Sequence, residues 1–214
     1  GQAGLESTRA LLTKASVSHF GDPLRDGQEV FLETRGDLTI AWIGANATVR
    51  TINAEAITKA IQSAKSGSEL VTSSEPVVIL SVHWGNEYQH TPTALQQELA
   101  HEWIDAGADV VIGHHPHVIQ TVELYNDHMI FYSLGNFIFD QYFSQDTQEM
   151  LAVNLLLNKE TVTTKLIPLT SSRSQPQIAA ETQRAKILNK LADWSDSSIR
   201  NAILEGEFIL KRED

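Results

Sequence analysis

Helical and alternating hydrophobic spacings succeed one another along the chain. In the opening GLESTRALLTKA, Leu5, Ala10, Leu11 and Ala15 fall near one helical face, and VSHFG after it reads as a short strand ending at Gly21. EVFLET and DLTIAWIGA are β-rich runs joined at Arg35-Gly36, predicting a hairpin with Val30, Leu32, Leu38, Ile40 and Trp42 available for its inner face. The Arg35-Gly36-Asp37 triplet matches an integrin-binding signal, but a tight turn asks for the same residue types, so it is read as the turn. Ile57, Ala60, Ile61 and Ala64 predict a helix from about Ala54 to Lys65, ending in the loop SGSELVTSSEP.

PVVILSVHWG then breaks the alternation with a run of consecutive apolar, largely β-branched residues, the mark of a strand buried on both faces. TPTALQQELAHEWIDAGA reads as a helix opened by Thr91 or Thr93 and closed near Gly107, with Leu95, Leu99, Trp103 and Ile104 on one side. DVVIG is a second buried strand. Strand, crossover helix and strand make a parallel βαβ unit of an α/β fold, whose ligand crevice lies at the carboxyl ends of the strands. Downstream, runs flanking Asn126-Asp127 and Asn158 to Glu160 predict two more hairpins. A closing helix is expected around Ala180 to Trp194, and SSIRNAILEGEFILKRED reads as a peripheral helix or tail.

Composition narrows the classes. With 214 residues, 42% apolar and 20% charged, the chain is expected to form one globular domain, 1–214. A net charge of -11 with only 16 basic residues argues against a nucleic-acid partner. The same charge repels an anionic substrate unless something local, such as a bound metal ion, reverses the field. Absence of cysteine leaves His, carboxylate and water as the available metal donors. No apolar run approaches the about 20 residues needed to span a bilayer.

The candidate chemistry sits where the βαβ unit puts its crevice. His83 follows VVILSV, and His114, His115 and His117 follow DVVIG, so adjacent strand ends bring four imidazoles together. Converging imidazoles bind a divalent ion at about 2.0–2.2 Å, and Glu87 is a candidate oxygen ligand or hydrogen-bond acceptor behind a ligand. Protonated, three histidines in four positions would repel, so a metal or depressed pKa values are the economical explanation. Pro116 is expected to hold His115 in extended backbone. His19, His90, His101 and His128 are read as structural, and Trp84 as packing beneath the His83 loop.

HWGNEY, IDAGADVVIGHHPHVIQ and IFYSLGNFIFD, in that order, resemble the CapA-type capsule and poly-gamma-glutamate synthesis proteins, most strongly over residues 76–140. The resemblance implies the C-terminal part of a calcineurin-like metallophosphoesterase-type αββα sandwich with two divalent ions, Mn, Zn or Fe. In that pattern His83 corresponds to a lone metal-binding histidine, His117 is the firmer ligand of the Gly-His-x-His element, and His114 and His115 compete for its other role. His114 and His115 are also carried as catalytic candidates, with Asn136 of SLGNF, which serves equally well as a turn residue. The early Asp and Asn-His motifs of the fold have no counterpart before Gly1, so a chain lacking the domain's N-terminal third is expected, with little turnover by itself. The resemblance further implies metal-dependent hydrolysis or transfer on an anionic polymer or phosphoester, an extracytoplasmic location, and other capsule-synthesis proteins as partners. The alternative it leaves open is a non-catalytic surface module that binds or assembles an anionic polymer.

Overall fold

The computed structural model describes residues 1–66 and 75–212. Helix α1 (Gln2–Lys14) precedes the hairpin of β1 (Val30–Arg35) and β2 (Leu38–Asn46); α2 (Ala54–Lys65) then leads to β3 (Val77–His83). Helix α3 (Ala94–Asp105) leads on to β4 (Val110–His114), followed by the hairpin of β5 (Val122–Tyr125) and β6 (His128–Phe131). The remainder holds β7 (Glu149–Leu157), β8 (Thr161–Ser172), β9 (Gln175–Ile178), α4 (Glu181–Trp194), α5 (Arg200–Glu205) and β10 (Glu207–Lys211).

These elements make an α/β fold with two sheets. The larger runs β1-β2-β3-β4-β6-β5, with β2, β3, β4 and β6 parallel and the edge strands β1 and β5 antiparallel. The smaller runs β10-β8-β7, with β9 also on β8, and is antiparallel throughout. Val78, Leu80 and Val82 pack with Ile57 and Ile61 of α2 and Trp103 of α3. Val110, Met129 and Phe131 pack instead with Leu151, Leu166 and Phe208 of the second sheet and Leu188 of α4. Cover on both faces explains why β3 reads as an unbroken apolar run.

Local chemistry sets the ends of the site-bearing elements. Thr93 caps α3 in a reciprocal capping box with Gln96, and Gly107 leaves the helix at φ 111°. Asn126 and Asp127 take φ values of 46° and 62° in the β5–β6 turn, the left-handed pair that a two-residue hairpin demands. No helix among the described residues is long and apolar enough to cross a membrane.

Several expectations change. VSHFG forms no strand: β2 is already paired by β1 and β3, and the segment instead crosses β2 where Gly21 and Gly44 touch backbone to backbone. Helix α1 turns Leu5, Arg9 and Leu12 toward the protein rather than the Leu11 side, and Arg9 bonds the Gly21 carbonyl and Glu29. In the first hairpin, Arg35 pairs with Leu38, so even-numbered residues of β1 share a face with odd-numbered residues of β2. Val30 therefore sides with buried Ala41 and Ile43, while Ile40 and Trp42 look the other way. The C-terminal segment expected as a peripheral helix or tail forms helix α5 and then β10, a strand on β8 with Phe208 in the core. Most of the loop expected over 66–76 lies outside the described residues.

Candidate metal centre

Three parallel strands end together. The register places Asn46 beside His83 and His83 beside His114, so β2, β3 and β4 each present a polar side chain at the same level. His83 and His114 line a cleft of about 450 Å³ together with Asp22, Asn46 and Ser81. Sequence reading missed Asp22 and Asn46; for Asn46 the usable signal was a polar residue closing a strand of the parallel sheet.

The loops beyond these strand ends are fastened to one another. Trp84 N–H donates to the His114 carbonyl at 2.9 Å and Tyr88 N–H to the Pro116 carbonyl at 2.8 Å. Trp84 is packing, as expected: it is buried, stacks between Trp103 and Tyr132, and donates its indole N–H to the Tyr132 carbonyl. That contact dictates the glycine of GHHPH, because a Cβ on Gly113 would lie 2.1 Å from the Tyr132 oxygen and 2.4 Å from the Trp84 Nε1.

After β4 the backbone turns sharply. His115 has φ 100° and His117 φ 62°, both in the region that favours glycine. For His115 this overturns the extended conformation expected before Pro116; the turn is imposed by a loop pinned at the His114 and Pro116 carbonyls. Such conformations cost about 1–3 kcal/mol each and persist where the surroundings over-determine them.

The turn brings ligand-type atoms of Glu87, His115 and His117 within 4.8 Å of one another. The His115 ring lies 4.8 Å from that of His83 and 5.8 Å from that of His117, so His83 adjoins this trio through His115. His114 is set back at the strand end, beside His83 and facing the cleft. Asn136 is buried behind His117. Its amide nitrogen donates to the Thr147 carbonyl at 3.1 Å and to Gln141 Oε1 at 3.2 Å, which turns its oxygen to His117 Nδ1 at 2.7 Å. His117 therefore carries its proton on Nδ1 and leaves Nε2 as the free lone pair, 4.0 Å from Glu87 Oε1.

Electrostatics agree with a ligand role. Burial, followed by the nearby imidazoles of His115, His114 and His117, pushes His83 down to about 4. Burial lowers His114, and it lowers His115 against the opposing pull of the Glu87 carboxylate. Imidazoles with a carboxylate make a donor set that fits Zn, Mn or Fe. The four other histidines stand apart: His90 packs on Trp194, His101 pairs with Glu123, His128 meets the Asp109 carbonyl, and His19 lies on the irregular segment before β1.

Residues 1–141, which include all of these candidate ligands, match the family model described as bacterial capsule synthesis protein PGA_cap. Over 127 residues, 59% of the chain, it is 35% identical to the capsule biosynthesis protein CapA of Bacillus anthracis. Over 65 residues, 30% of the chain, it is 54% identical to the PGA biosynthesis protein CapA of Bacillus subtilis. A third relative, "Probable polyglutamine synthesis accessory protein" of Mycobacterium tuberculosis, is 30% identical over 54% of the chain. The matched stretches span 30%, 17% and 32% of those three proteins. A match over residues 1–141 takes in well over half of the sequence, and the chain belongs to the bacterial capsule synthesis protein PGA_cap family.

Proposed function

We propose that this chain supplies the histidine-bearing side of a divalent-metal site, of metallophosphoesterase type, in a protein of capsule or poly-gamma-glutamate synthesis. The observation that carries the reading is the Glu87, His115 and His117 trio, with donor atoms within 4.8 Å and the His117 tautomer fixed by Asn136. When bound, a divalent ion would polarise an ester, phosphoryl or amide oxygen and so favour hydrolysis or transfer at it. Glu87, His115 and His117 would hold the ion. His83 and His114, which line the cleft together with Asp22 and Asn46, are the side chains available to a second one.

The chain's own residues do the rest of the work. Asn136 is a positioning residue: it retains the His117 Nδ1 proton and aims Nε2 at the site. His114, whose pKa burial lowers, is the imidazole left to take up a proton near a bound substrate where it does not itself bind a second ion, because the lone pair of His115 is committed to the first. The substrate class in this reading is an anionic polymer or a phosphoester, met outside the cytoplasm at the cell envelope alongside other capsule-synthesis proteins. The net charge of -11 leaves attraction of such a substrate to the metal.

Titration of metal-stripped protein with Mn²⁺, Zn²⁺ and Fe²⁺, read by calorimetry and thermal unfolding, tests this. An ion at a hundred times its dissociation constant should raise the melting temperature by about 5–10 °C, and His117→Ala should abolish the rise. No heat of binding, or a rise that His117→Ala leaves intact, refutes the metal site. Polyglutamate binding that is equally tight with and without metal would favour the non-catalytic polymer-binding module instead.

A further inference from the structure

The segment after Asn136 inverts the usual partition of polar and apolar groups. Phe137, Ile138 and Phe143 are exposed by 58%, 68% and 67%, and Phe139 and Tyr142 by 43% and 47%. Looseness does not account for this, because the segment is tied down by hydrogen bonds to the loops beside it. Gln141 Nε2 donates to Tyr88 Oη at 2.9 Å, Ser174 Oγ donates to the Phe139 carbonyl at 2.9 Å, and Tyr142 Oη lies 2.6 Å from Ser174 Oγ. Thr147 Oγ1 donates to the Gln141 carbonyl at 3.0 Å. A tethered loop that holds large apolar side chains in water has a use for them at its surface.

The apolar surface starts at the metal centre. The Phe139 ring lies 4.9 Å from the His117 imidazole, and Tyr88 stacks on the same imidazole at 6.0 Å. Phe143 extends this surface outward, edge-on to Tyr88 at 5.2 Å. Any group held at His117 therefore has aromatic rings as its next neighbours.

We propose that the ligand of this centre is an amphiphile, with an anionic phosphoester head at Glu87, His115 and His117 and a hydrocarbon tail lying over Phe139, Tyr88 and Phe143. The head rests on the metal-site reading above; the tail does not. A polyglutamate chain would set carboxylates against these rings, and residues 136–143 offer Asp140 and no Lys or Arg to meet them. The rings meet the imidazole itself rather than a separate face, which favours two parts of one ligand over a head and an unrelated partner.

The test is calorimetry of the Mn²⁺-loaded chain with methyl, hexyl and octyl phosphate, each below its micellar concentration. Octyl phosphate should bind about ten-fold or more tightly than methyl phosphate, as partial burial of a hydrocarbon chain implies. Phe143→Ser should bring that ratio toward one; this side chain is outside the core, so folding is not at stake. Equal affinity for the three phosphates overturns the proposal. So does Phe143-dependent co-sedimentation with phosphatidylcholine vesicles without any chain-length effect, which would assign the loop to a bilayer surface. Octyl glucoside in the presence of EDTA separates tail from head. Should the metal reading alone be at fault, octyl glucoside still binds in a Phe143-dependent way while methyl phosphate binds under no condition. Should the tail alone be at fault, methyl phosphate binds through the metal and octyl glucoside does not bind.

Discussion

His83 and His114 differ from His115 and His117 in what holds them in place. The first two end paired parallel strands with unremarkable backbone, so their juxtaposition follows from sheet register. The other two occupy a turn with left-handed backbone at both residues, kept in shape by a carbonyl bond to Tyr88 and by Asn136 behind His117. Global topology places one pair and local over-determination places the other. Substitutions can therefore disturb them together or one at a time.

The largest effect should come where both pairs depend on one atom's worth of space. Gly113 lies within β4, directly before His114 and the turn, and a methyl group there would collide with the Tyr132 carbonyl and the Trp84 indole, neither of which can retreat from a buried stack. Gly113→Ala should cost about 3 kcal/mol or more in urea unfolding, at the upper end for overpacking, and weaken metal binding at both pairs. A cost below about 1 kcal/mol would mean the two loops adjust independently, and the distinction between the pairs would have to be redrawn.

A smaller and more selective change should follow at Asn136. Asn136→Ala removes the acceptor that fixes the His117 tautomer and is expected to lower metal affinity by about 10–100-fold, the usual range for a residue behind a ligand. Asn136→Asp keeps an oxygen facing Nδ1 and should recover most of the loss. Competition against a chelator measures both, and unfolding by urea in EDTA controls for stability. Equal losses in the two variants would show that Asn136 acts through folding of the Thr147 loop and not through His117.

The same contrast explains what could be read from the sequence. Periodicity gave the βαβ unit, the hairpins and the strand-end position of His83 and His114, because a buried parallel strand has an apolar run that cannot be satisfied elsewhere. The first hairpin's inner face was misjudged because the parity depends on a two-residue turn pairing Arg35 with Leu38, which no composition reveals. The cluster of Glu87 with His115 and His117 was legible as residue types, but its geometry depends on a backbone that Pro116 argues against. The backing role of Asn136 and the proximity of Asp22 are tertiary facts: each comes from a loop that contributes no periodic signal. β10 was lost because a short alternating run after a glycine reads equally well as a tail.

Acidity offers the finest test of the two pairs. Above pH 6.5, His83 is neutral whether the chain is folded or not, so it contributes no pH dependence to stability. Between 6.5 and about 4 the unfolded chain takes up a proton that folded His83, pushed down by burial and by its imidazole neighbours, does not. Stability should therefore fall as pH is lowered through that window, and below about 4, where both states are protonated, this group adds no further loss. His115 is lowered in the same sense, but the Glu87 carboxylate pulls against its burial, so its share should be the smaller. Urea unfolding at pH 7, 6, 5 and 4.5 in EDTA, compared with His83→Gln and His115→Gln, reads the two contributions. His83→Gln should flatten the slope by up to about one proton across the window, and His115→Gln by less. If His115→Gln flattens it more, the loop histidine is the more deeply desolvated of the two in solution.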